Sequence, residues 1–175
     1  CNRILIYKRL IMTRNHLFLR LAFFSAFVCV SALLPAQSKK SLLNIEITPA
    51  DSEKKITVSV NGKPFTELIY TDTLEKHFLY PIYAPDGQLI TRGFPFKPRP
   101  NEPTDHPHHT GLWLNYESVN GLDFWNNSYA IPADKKDKYG WIRTKKILKA
   151  KGGKEGEIKV FATWENQKKQ VLLDE

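Results

Sequence analysis

The stretch ITVSVNGKPFTELIY, Ile56 to Tyr70, decides the fold. Ile56, Val58 and Val60 alternate with Thr57 and Ser59, which is the two-residue period of a strand. Asn61-Gly62 then interrupts, and a second apolar-rich run follows. Both central residues of a tight hairpin turn need positive φ, and Asn-Gly meets that need best. The same pattern recurs outward along the chain. HFLYPIYAP leads through Asp86-Gly87 to QLITRGF, and GLWLNYESV leads through Asn120-Gly121 to LDFW. WIRTKKILKAK reaches a Gly152-Gly153 turn region and then EIKVFATWEN, where Ile158, Val160, Ala162 and Trp164 fall on one face. KKQVLLDE reads as a final strand. No window from residue 42 onward sustains a helical period, and there is no internal repeat. The expected fold is all-β, an antiparallel β-sandwich.

The two ends bound the domain. Residues 12 to 37 read as a secretory signal peptide behind an upstream stretch, residues 1 to 11. Arg14, His16 and Arg20 precede the apolar run Leu21 to Leu34, and PAQS supplies small residues for cleavage near Ala36 or Gln37. The run is short for a bilayer span and no second one follows, so no stable membrane insertion is expected after cleavage. The β-sandwich domain is then residues 38 to 175, exported to a periplasm or the cell exterior. The leader holds five of the 26 Lys and Arg residues and no acid, so 21 basic residues face 18 acidic ones in the remainder, a net charge of +3. That balance gives no support to a nucleic-acid partner. Both cysteines, Cys1 and Cys29, fall in the leader, so the domain is expected to have no disulfide and no thiolate chemistry. The chain stops on VLLDE, which reads as mid-sheet. An apolar edge left unpaired is an aggregation hazard, so further chain is expected beyond it.

Five prolines between Pro95 and Pro107 exclude a helix and predict a long, stiff loop, the kind that commonly carries function. The loop ends in Asp105-His106-Pro107-His108-His109, which holds three of the five histidines of the chain. In extended backbone His106 and His108 would share one face and His109 would point elsewhere. Two readings follow. His106 and His108 could ligate one divalent metal ion, with Asp105, His77, Glu117 or Asp123 as a third ligand. Alternatively, His106, His108 and His109 could transfer protons, with Asp105 orienting one of them. Trp113, Tyr116, Phe124 and Trp125 add flat apolar faces, and Arg92, Arg99, Asn115 and Asp123 add polar groups. Such mixed sites suit a polar ring ligand, a small molecule or glycan held by Arg92, Trp113, Asp123 and Trp125. For Trp113, Phe124 and Trp125 the plain alternative is a place in the core.

The stretch from Tyr80 to Trp125 resembles a family of bacterial proteins that carries the name "methane oxygenase PmoA". The resemblance rests on Pro81 to Gly87, Thr91-Arg92-Gly93, Asp105 to His109, Gly111-Leu112-Trp113, Val119-Asn120-Gly121 and Asp123-Phe124-Trp125. It implies a secreted β-rich domain of the supersandwich type found in sugar mutarotases. It also implies a second motif region further along in longer members. Methane oxidation is not carried over, since a membrane monooxygenase subunit has several spanning helices and this chain has strands. The expected function is an exported protein that binds or converts a carbohydrate through the histidine site. The alternatives are a metal-dependent oxygenase or hydrolase using the same histidines, and a non-catalytic glycan-binding module.

Overall fold

The structure, a computed structural model, describes residues 42 to 175. The expected leader, with Cys1 and Cys29, lies outside the described residues. Strands β2 (Lys55–Val60) and β3 (Lys63–Ile69) form the hairpin read from the sequence. Asn61 and Gly62 both take positive φ, 52° and 74°. β1 (Ile45–Ala50) pairs antiparallel with β2, Ile45 opposite Val60 and Ala50 opposite Lys55. β4 (Phe78–Ile82) pairs with β3 from Ile69–Phe78 to Thr66–Ile82. The first sheet is therefore a four-stranded meander in the order β1-β2-β3-β4. β5 (Trp141–Lys151), β6 (Glu157–Glu165) and β7 (Val171–Asp174) make a second antiparallel sheet in chain order. The fold is all-β and neither sheet closes into a barrel. Among the described residues no helix is long and apolar enough to cross a membrane.

Alternation in sequence becomes burial in space. Ile56, Val58 and Leu68 turn into the core while Thr57 and Glu67 do not. Ile56, Leu68 and Tyr70 pack with Ile47 and Leu79 of their own sheet and with Ile147, Ile158 and Val160 of the other. Ala162 is fully buried, and with Trp164, Ile142 and Phe124 it forms a second cluster covered by Leu172 and Leu173 of β7. The expected face Ile158–Val160–Ala162–Trp164 is thus the inner face of β6. Phe124, one of the site aromatics, is a core residue at 1% exposure.

β5 joins the two sheets at two corners. Near its start, the Ile142 amide donates to the Glu75 carbonyl at 2.9 Å, Thr144 Oγ1 lies 3.1 Å from His77 Nδ1, and Arg143 donates to the Leu74 carbonyl. Just past its end, Ile45 and Gly153 exchange two backbone hydrogen bonds of 2.8 Å. β5 therefore runs diagonally from the connection between β3 and β4 to the free edge at β1. An apolar cleft of about 640 Å³ lies between the sheets, lined by residues such as Val60, Phe65, Leu68 and Ile158.

Two expected hairpins survive only as turns. Asp86-Gly87 closes a single bridge, Tyr83 to Leu89, and Asn120-Gly121 a single bridge, Val119 to Leu122. A strand needs a neighbour to take its N–H and C=O groups. Among the described residues the segment around Leu112 finds one only in the Leu112–Leu79 bridge, and Leu112, Leu114 and Tyr116 stay exposed.

Gly140 provides a test of this core. A Cβ there would lie 2.2–2.3 Å from ring atoms of Phe124, and Gly140 also accepts the Asn127 side-chain amide at 2.7 Å. Gly140→Ala is expected to lower unfolding stability by about 1–3 kcal/mol through overpacking. Chemical denaturation checks this, and a wild-type midpoint would contradict the packing described.

Candidate functional site

The site is built on a loop that cannot satisfy itself. Between Phe94 and Pro107 the prolines remove backbone donors and block regular pairing. Glu102 organises what remains. Its carboxylate accepts from the amides of Gly93 (2.6 Å), Phe94 (3.1 Å) and Arg99 (3.1 Å), and from the Arg99 guanidinium at 2.9 and 2.5 Å. These donors, the Gly93 amide foremost and the Arg99 guanidinium next, hold the Glu102 carboxyl down to about 2. Gly93 is required there because a Cβ would meet the Lys97 carbonyl oxygen at 2.0 Å.

Arg92 leaves this loop and fixes the next one. Its Nε donates to the Phe94 carbonyl at 3.2 Å, Nη1 donates to Asp105 Oδ1 at 3.2 Å, and Nη2 donates to the Asp105 carbonyl. Expected as a substrate group, Arg92 spends two of its five N–H donors on holding Asp105 and a third on the Phe94 carbonyl. Asp105 Oδ2 in turn lies 2.8 Å from His106 Nδ1. A carboxylate can only accept, so Nδ1 carries a proton, and in the neutral ring the lone pair is on Nε2. Both side chains are more than half exposed. His106, with Arg92 also nearby, draws the Asp105 carboxyl below its ordinary range.

The backbone of Asp105 to His109 is a turn, not the extended segment expected. His106 takes φ 49°, and the His109 amide donates to the His106 carbonyl at 2.9 Å. The pairing of rings changes accordingly. His106 stacks on His109, with centroids 4.9 Å apart and planes 19° apart, and His108 meets His109 edge-on at 4.3 Å. All three imidazoles are brought together, but His109 is at the centre of the set. Its ring continues into Trp113 at 5.3 Å and Trp125 at 6.3 Å, and the two indoles lie 5.5 Å apart. Trp125 is 38% exposed. Trp113 is partly buried against Ile69, Phe78 and Tyr80.

Lys76 completes the site and was not legible as part of it. It is 4% exposed, yet its Nζ donates to the Trp125 carbonyl at 3.0 Å and lies 5.2 Å from the centre of the Trp113 ring. Burial pulls this amine down to about 8, with Glu75 and Asp123 opposing. The sequence does hold one signal, since Lys76, Phe78 and Tyr80 share a strand period and all three are buried. Burial also brings His108 down to about 4, with His109, Lys76 and His106 adding to the effect and Asp123 opposing it. His109 is lowered as well, by burial first and then by His106, Arg92 and Lys76. At neutral pH His108 and His109 are therefore uncharged, each ring offering one donor and one acceptor.

The other expected residues are placed apart or differently engaged. Asp123 accepts the Asn126 amide at 2.9 Å and its side-chain nitrogen at 2.7 Å, and it reaches His108 and Lys76 only through its charge. Asn115 donates to the Phe124 carbonyl at 2.6 Å. His77 faces Thr144 of β5, and Glu117 is exposed on its loop. Among the described residues no three His, Cys, Asp or Glu side chains are arranged to hold a metal ion. The arrangement sets an oriented, exposed imidazole against two neutral imidazoles, one of which meets both indoles.

The depressed Glu102 carboxyl gives a pH test. Its folded value, about 2, lies below the ordinary 4.5, so its contribution is complete above 4.5 and is lost as pH falls through 2. Thermal melts between pH 6 and pH 2 are expected to show this acid loss in the wild type and a smaller one in Glu102→Gln. Equal slopes for the two proteins would show that the loop does not depend on the carboxylate.

No curated protein and no solved structure matches the chain. One family model does match, over residues 55–175, a span that contains Lys76, Arg92, the histidine turn, Trp113 and Trp125. That span is most of the chain, and the protein belongs to the family of unknown function DUF6807.

Proposed function

We propose that the protein binds a carbohydrate at the histidine turn and transfers a proton to or from it, with His106 as the base. The observation that carries this reading is the Arg92–Asp105–His106 chain, which binds Nδ1 of an exposed imidazole and leaves Nε2 to accept, on a ring that stacks on His109, which in turn meets Trp113 and Trp125. Flat apolar rings next to hydrogen-bonding groups suit a sugar, whose C–H faces stack while its hydroxyls bond. His108 and His109, uncharged at neutral pH, serve hydroxyl groups as donors or acceptors. His106 removes a hydroxyl proton, and Asp105 stabilises the imidazolium that results. The resemblance of residues 80–125 to the PmoA-type family supports a sugar-directed domain of this kind. The leader-like run Leu21 to Leu34 supports export, where polysaccharide-derived ligands are met.

The test is a glycan array followed by turnover assays on the full chain. His106→Ala is expected to reduce turnover by about 10²–10⁴-fold, the usual range for a general base, while sugar binding persists. Trp125→Ala is expected to weaken binding. Turnover retained after replacing His106, His108 and His109 together would leave a glycan-binding module instead. One divalent ion per chain, lost in His106→Ala/His108→Ala on elemental analysis, would replace proton transfer by metal-dependent chemistry.

A further inference from the structure

We infer that the carbohydrate recognised at this site is acidic, and that its carboxylate takes Lys76 as its counter-ion. The inference rests on the sugar-binding reading above. Lys76 is a 4%-exposed ammonium with no ion pair to a carboxylate among the described residues. A buried charge without an opposite charge is costly, and a protein retains one where something else compensates it. The only acceptor it meets among the described residues is the Trp125 carbonyl, and the Trp113 ring adds a weak attraction. An ammonium has three N–H donors, so capacity remains.

The neighbouring carboxylates are engaged elsewhere. Asp105 is held by Arg92 and His106, and both oxygens of Asp123 accept from Asn126. Glu75 and Asp123 act on Lys76 only at a distance. On the other side stand His108 and His109, uncharged at neutral pH, which feel the lysine charge but do not neutralise it. The site therefore has one buried positive charge without a contacting counter-ion among the described residues, its Nζ at the Trp125 carbonyl and over the Trp113 ring. A uronic acid matches that pattern, with ring on the indoles and carboxylate at the lysine. A neutral hexose leaves the charge unanswered.

Calorimetry on the full chain compares galacturonate and glucuronate with galactose and glucose, with acetate as the carboxylate lacking a sugar. Hydrogen bonds to charged groups set the expected preference at about tenfold or more for the uronates at pH 7. Lys76→Met is expected to erase it and Lys76→Arg to retain part of it. If Lys76→Met fails to fold, the wild type at pH 10 serves, because the lysine is then neutral while the uronate stays charged, and the preference should fall. Equal affinity for acidic and neutral sugars, or a preference unchanged at pH 10, overturns the inference and leaves the sugar-binding reading standing. Acetate bound as tightly as the uronates shows a general carboxylate site and overturns it too. No sugar bound at all removes the reading on which it rests.

Discussion

The carboxylate of Glu102 is the contact on which the candidate site depends. A proline-rich loop has few backbone donors and no ladder to place them in, so its shape must come from side chains. One acidic group collects three amides and a guanidinium from residues 93 to 99 and closes that stretch on itself. Arg92, immediately before, is thereby set to hold Asp105, and Asp105 holds His106. The imidazole proposed as a base is thus the last member of a chain of charge-assisted bonds that starts at Arg92, fourteen residues earlier. Such bonds are short and directional, which is what positioning requires.

Burial then divides three chemically identical side chains into two kinds. His106 is exposed beside a carboxylate. His108 and His109 are drawn inward against each other, the indoles and a buried lysine. Desolvation penalises the charged imidazole, and neighbouring positive groups add to the penalty. The same motif therefore supplies one ring oriented by an acid and two rings held neutral. Sequence alone divides them by alternation, His106 and His108 against His109, and so groups them differently.

What could be read from the chain follows from how local each feature is. Asn61-Gly62 and the alternation of Ile56, Val58 and Val60 dictate their hairpin without outside help, and β5, β6 and β7 were legible for the same reason. The runs around Asp86-Gly87 and Asn120-Gly121 were over-read, because turn chemistry fixes a reversal but not a partner strand. The grouping of the histidines with Trp113 and Trp125 was legible from proximity in sequence. Their stacking was not, since it turns on positive φ at His106, a conformation that a non-glycine residue adopts only where its surroundings impose it. Lys76 was missed because lysine is almost never fully buried, and Glu102 because an acid in a loop reads as solvated surface.

The diagonal course of β5 has a mechanical consequence. A strand that joins opposite corners of a sandwich acts as a brace. Sliding one sheet along the other would break the Ile45–Gly153 pair and the contacts of Glu75 and His77 with β5 at the same time. Rotation about the line between those corners breaks neither. The apolar cleft therefore lies between two sheets that β5 ties at two corners, and shear between them is opposed at both.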